Sequence, residues 1–243
     1  MLRVTQLLRA VGKVFFPLFV GLAALGAYWQ AVRSGWKPPI EDYLATMVLS
    51  FLSLLIGGAC LCLGKQTLRV VAFPAAFLVF MVPFPVFLRE GIESFFQHGS
   101  AEAAQALFTL SGTSFFRQDM SFQLPGFSLQ VAPECSGIHS SLVLFITSLL
   151  AGHLFLKSPW KRAVLTLAVI PLALLRNGFR IVTIGELCVH VSPDMINSYI
   201  HRRGGPIFFV LSLVPFFLLL LVLRKLDGRK RRKAAVPSQL KKS

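Results

Sequence analysis

Cys135 sits in the stretch Val131-Ala132-Pro133-Glu134-Cys135-Ser136-Gly137-Ile138-His139-Ser140-Ser141, a short polar block directly before a long apolar run. A thiol attacks as the thiolate, a form that a helix N-terminus or a nearby cation favours. Ser136 and Gly137 leave the thiol approachable and free the amides of the helix that the apolar run opens. Glu134 is a surface or hydrogen-bonding residue on this reading, because a carboxylate beside the thiol opposes thiolate formation. Arg180 lies within another apolar run, where an arginine is costly unless paired or hydrated and is functional by default. His201 precedes the last apolar run and titrates in the range that a proton acceptor needs. A thiolate, a histidine and a fixed cation together meet the needs of acyl transfer. Arg176, one helical turn before Arg180, reads either as a second cation of that site or as a structural partner for Glu186 or Glu134. His139, one turn from Cys135, is a weaker candidate.

The elements that must position these residues are membrane helices. The 243-residue chain is 55% hydrophobic and only 14% charged, with 23 phenylalanines, more apolar surface than a soluble domain can hide. The expected fold class is an all-α polytopic membrane protein. A net charge of +15 would suggest nucleic acid in a soluble chain. Here the basic residues flank apolar runs, so topology and contact with lipid headgroups explain them, and no nucleic-acid partner is expected. Four cysteines make no disulfide framework, and Cys60 and Cys62, inside an apolar run, read as packing residues. There is no zinc-ligand spacing, and neither a metal nor a cofactor is expected.

Six spans are expected, at about 14–32, 43–63, 70–88, 138–156, 163–184 and 206–223. The first is long for a signal peptide and lacks a small-x-small cleavage site, so it reads as retained. Gly57-Gly58-Ala59 provides a small-residue face for close packing, and Pro74, Pro83 and Pro85 should kink the third span. The outer segment 89–134 divides into an amphipathic helix near 91–110, lying on the membrane or against the bundle, and a short β-hairpin or extended loop over 113–131. A polar link is expected from Glu186 to Gly205. Residues 1–226 read as one integral-membrane domain and 227–243 as a basic cytoplasmic tail, disordered over about its last fifteen residues. Counting Lys and Arg along this arrangement puts three, two, three and nine in the segments on the N-terminal side of the membrane and six on the other. Both termini should therefore be cytoplasmic. Cys135, Arg180 and His201 then meet at the outward face, although they are distant in sequence.

At these residues the chain resembles the exosortase/archaeosortase family of multi-spanning membrane enzymes. The likeness rests on Glu134-Cys135-Ser136-Gly137-Ile138, on Arg176-Asn177-Gly178-Phe179-Arg180-Ile181, and on His201 with Gly204-Gly205 ahead of the last span. These blocks fall in order at the ends of successive spans. The resemblance implies a cysteine protease or transpeptidase in a bacterial cytoplasmic (inner) membrane. Its substrates would carry a C-terminal sorting signal: a short Pro-containing motif, a transmembrane helix and a basic cluster. It further implies Cys135 as nucleophile, Arg180 as the cation, and His201 as the proton carrier. Asn177, Arg176, Ser136 and Gly137 would support them. A thioacyl intermediate would pass to water, or to an amine or glycan acceptor.

Two other readings compete. Ser136-Gly137-Ile138-His139 with Arg180, His190 and Asp194 is similar to the blocks of membrane lipid phosphatases, but the spacings differ and no Lys-x6-Arg-Pro block precedes them. Intramembrane arginines and proline-broken spans would also suit a non-catalytic transport or polysaccharide-assembly component.

Overall fold

A computed structural model describes residues 2–35, 37–62, 72–131, 137–192, 195 and 204–239. By internal contacts the chain divides into two compact units, Met1–Gly91 and Ile92–Ser243. The protein is an all-α polytopic membrane protein with one small sheet. Among the described residues four helices are long and apolar enough to cross a membrane, or five if the pair Ala72–Met81 and Val86–Ser111 forms one broken span.

In the first unit, α1 (Leu2–Arg33) contains the expected first span and α2 (Ile40–Cys62) the second. Small residues let the two backbones approach. A methyl added at Gly57 would lie 2.5 Å from Leu18 Cγ, and one added at Gly21 would lie 3.1 Å from the Ser50 carbonyl oxygen. Tyr28 and Tyr43 stack their rings 5.7 Å apart near the connection. Rising numbers on α1 meet falling numbers on α2, so the pair is antiparallel. The expected small-residue face is used at Gly57, whereas a methyl at Gly58 would meet nothing within 4 Å.

The third span differs from expectation. α3 (Ala72–Met81) tightens into a 3₁₀ turn over Leu78–Met81 and stops, the chain is extended at 83–85, and α4 begins at Val86. Pro83 and Pro85 break the helix rather than kink it, because each lacks an N–H and disfavours helical backbone before it. The new helix start is held by Asp42, whose Oδ1 accepts the Val86 N–H at 2.8 Å. A carboxylate there complements the helix dipole.

α4 (Val86–Ser111) is one continuous helix, five residues longer at its start than expected. Its buried residues Ser100, Ala101, Ala104 and Phe108 lie on one stripe, as amphipathic spacing requires. That stripe packs against α7 (Val169–His190), so α4 lies against the bundle. Pairings of Gly99 with Leu174, Ala103 with Gly178 and Phe108 with Gly185 rise together along both chains, so these helices run parallel. Residues 113–131 form a three-stranded antiparallel meander: β1 (Phe116–Gln118), β2 (Ser121–Leu124) and β3 (Phe127–Gln130). Leu124 pairs with Phe127 across Pro125-Gly126, where proline presets φ and Gly126 takes φ of 76°. Phe108, Phe122, Leu124, Leu129 and Ile181 join the meander, α4 and α7 in one core. Arg117 pins the first strand through a 2.9 Å ion pair with Glu102 on α4.

Close packing of α4 on α7 depends on Gly178. A Cβ there would lie 2.7 Å from Ala103 Cβ and 3.0 Å from backbone atoms of Ala103 and Ala104. Backbone cannot swing aside as a side-chain tip can, so the helices would have to separate, at the upper end of the usual 1–3 kcal/mol for overpacking. Gly178→Val should therefore lower the thermal midpoint of the purified protein by several degrees. Gly58→Val should leave it nearly unchanged. Equal midpoints for the two variants would contradict this packing.

α5 (Ile138–Phe155), α6 (Pro159–Leu167), α7 and α8 (Gly205–Gln239) share a second core around Leu144, Leu165, Val169, Phe216 and Leu220. The expected span 163–184 is thus α6 and α7 meeting at Ala168. α7 runs on to His190, so Glu186 is helical and not part of a polar link. Its carboxylate accepts hydrogen bonds from Ser111 (2.9 Å) and Thr113 and pairs with His190 at 3.1 Å. Asp227 ties α8 to the turn before α6, accepting the Lys157 N–H at 2.9 Å and pairing with Lys161 at 2.8 Å. The basic stretch after Asp227, where composition suggests disorder, continues α8 to Gln239. Lys, Arg and Ala are good helix formers, and cations near a helix C-terminus complement its dipole.

Candidate active site

Cys135, Ser136 and His201 lie outside the described residues, as does Glu134. Val131 and Gly137, which flank the first of these stretches, are described, as are Gly204 after the second and Arg176, Asn177 and Arg180. All of these belong to the second unit.

The chain leading to Cys135 is held at its last described residue. Val131 is 2% exposed; its N–H donates to the Met120 carbonyl at 2.9 Å, and its carbonyl accepts from Gln97 Nε2 at 2.6 Å. On the far side, Gly137 caps α5 in the left-handed region, at φ 71° and ψ 20°. Two reasons require glycine there. A side chain would be strained by that backbone, and a Cβ would lie 2.8 Å from Arg176 Nη2 and 3.4 Å from Asn177 Oδ1. The Gly137 carbonyl accepts from the Ser141 N–H at 2.9 Å, from Ser141 Oγ at 2.8 Å and from Arg176 Nη2 at 3.3 Å.

Arg176 is therefore a tether. It is 9% exposed, and its Nη2 also reaches Ser141 Oγ at 3.3 Å. Of the two carboxylates its position offered as structural partners, Glu186 is engaged instead with Ser111, Thr113 and His190, and Glu134 lies outside the described residues. Arg176 Nη1 is buried and makes no hydrogen bond to the described residues. Asn177 is 2% exposed and donates from Nδ2 to Ser100 Oγ on α4 at 3.0 Å.

Arg180, one turn further along α7, lies between two cavities. A narrow pocket of about 20 Å³ is bounded by Leu129, Gln130, Val131, Asn177, Arg180, Ile181 and Ile184. An open cleft of about 460 Å³ is bounded by Arg180 with Gly137 and the α5 residues Ile138, His139, Ser140 and Val143, and with Gly205, Pro206 and Phe209 of α8. The cleft thus gathers the starts of α5 and α8 around one arginine. Gly137 follows Cys135 by two residues and Gly205 follows His201 by four. Residues 2–218 match the profile of the transmembrane exosortases. The chain belongs to that family. The match covers the first three spans as well as the region from Leu124 onward that carries the motif blocks. None of the curated proteins and none of the solved structures compared with the chain matches it.

Three residues that hold the elements around the cleft, Gln97, Ser100 and Ser141, were not singled out by the sequence. Ser100 carried a signal, being a hydroxyl on the apolar stripe of an amphipathic helix, where a polar group needs a partner. Ser141 was within the opening motif but looked like an ordinary helical serine. Gln97 carried no local signal.

Proposed function

We propose that this exosortase is a cysteine peptidase or transpeptidase acting on proteins with a C-terminal sorting signal, at the outward face of the bacterial cytoplasmic membrane with both termini inside. One observation carries the reading: the cleft bordered by Arg180 is also bordered by Gly137 and Gly205, the residues that lead from Cys135 and His201. Two residues of chain span at most about 7 Å and four about 14 Å. Chain length alone therefore allows both Cys135 and His201 to come to the cleft that Arg180 borders.

In the proposed reaction the Cys135 thiolate attacks a backbone carbonyl beside the sorting motif, and the carbonyl π electrons move onto oxygen. Arg180 holds that oxyanion. As the tetrahedral intermediate collapses, the C–N bond breaks and the nitrogen takes the proton that His201 removed from the thiol. The tail departs as an amine and the upstream protein remains as a Cys135 thioester. Water or an amine or hydroxyl acceptor, deprotonated by His201, then attacks the thioester and releases the thiolate. The apolar border of Val143, Pro206 and Phe209 suits a motif that arrives beside a transmembrane helix.

The test uses full-length protein in nanodiscs with a peptide carrying motif, transmembrane helix and basic cluster. Acid quenching at early times should give protein heavier by the upstream fragment, with the adduct on Cys135 and labile to hydroxylamine. Tail release with no adduct, or an adduct on another residue, would rule the reading out.

A further inference from the structure

The helix α4 reaches the site with two side chains that have no part in the chemistry above. Gln97 Nε2 donates to the Val131 carbonyl at 2.6 Å. Three residues later, on the same face, Ser100 is fully buried and accepts the Asn177 amide at 3.0 Å. Val131 precedes Cys135 by four residues, and Asn177 precedes Arg180 by three. One turn of α4 therefore holds both the strand end that runs into the cysteine stretch and the helix that carries the arginine. Gly178, next to Asn177, sets α7 directly on the α4 backbone at Ala103 and Ala104, so this turn has little freedom to slide.

We propose that Gln97 is a positioning residue for Cys135. Through the Val131 carbonyl it fixes where the chain leaves β3, four residues ahead of the thiol, while touching neither substrate nor reacting atoms. The proposal rests on the acyl-transfer reading given above. A nucleophile displaced by about 1 Å can lose up to about 100-fold in rate, so a hydrogen bond at one end of its loop is felt in turnover.

Gln97→Glu and Gln97→Met separate positioning from packing. Glutamate has the shape of glutamine, but once ionised it has no proton to give and faces the Val131 carbonyl with negative charge; protonated, it restores the donor. Methionine fills similar space and never donates. At neutral pH both variants should lower peptide turnover about 10-fold with KM little changed. Measured against the parent at each pH, Gln97→Glu should recover as the pH falls toward the carboxyl range, about 4 to 5, and Gln97→Met should not.

A second readout does not require catalysis. With Cys60, Cys62 and Cys188 replaced by alanine, the rate of Cys135 alkylation by a small neutral reagent should follow the same pattern. Unchanged turnover, or equal losses in both variants at every pH, would overturn the proposal, since a packing role predicts the latter. If alkylation follows the pattern but Cys135→Ala still processes the peptide, the positioning stands and the nucleophile assignment falls.

Discussion

Cys135→Ala abolishes processing of a tailed peptide, a loss expected to be at least about 10³-fold, and Cys135→Ser is nearly as inactive. Serine keeps the shape but its hydroxyl needs a much stronger base than a thiol does. With one histidine proposed to serve as base, that difference should not be recoverable by raising the pH within the stable range. Two other cysteines serve as controls within the same chain. Cys62 is exposed and Cys188 is buried on α7, and neither borders the cleft. Cys62→Ala and Cys188→Ala should keep turnover within a few-fold of the parent. Processing that persists in Cys135→Ala and is lost in Cys188→Ala would move the nucleophile to α7 and overturn the mechanism.

Arg180→Gln lowers turnover by about 10² to 10³-fold, the usual cost of removing one donor from a developing oxyanion. Arg180 borders both the open cleft and the narrow pocket against β3. Arg180→Lys should recover part of the loss, because a point charge remains, but not all of it, because a lysine cannot present the planar fork. The effect should fall on kcat more than on KM if the arginine acts on charge that develops in the transition state. A KM effect alone would make Arg180 a binding group for an acidic substrate residue. Full activity in Arg180→Gln would remove it from the site.

The two arginines illustrate how much of this site was legible in the chain. Their spacing of four puts them on one helical face, and their apolar surroundings mark both as significant. Spacing could not divide the labour between them. In the folded protein Arg176 turns to the Gly137 carbonyl and Ser141, and becomes a support for the cysteine stretch. Arg180 borders the cleft. Glu186, which local order offered as a partner for Arg176, is taken by Ser111 and Thr113 more than seventy residues earlier. No local pattern encodes a choice among carboxylates that depends on which helix packs where.

What the amino-acid sequence determined alone is what short-range physics determines. Apolar runs of bilayer length made the chain a helical membrane protein, alternation after Thr113 foretold the hairpin, and the cysteine, arginine and histidine blocks at successive span ends pointed to the exosortase family. Tertiary structure decided how far each helix runs and which residues support the site. Pro83 and Pro85 broke a helix that was expected only to kink, and Asp42, more than forty residues earlier, holds its restart at Val86. The polar segment after Arg89 became a helix packed on α7 because glycines at 178 and 185 admit it, and with it came Gln97 and Ser100. Their partners lie 34 and 77 residues away. Such bonds exist only once two apolar faces have met, which is why Gln97 and Ser100 could be recognised only in the folded chain.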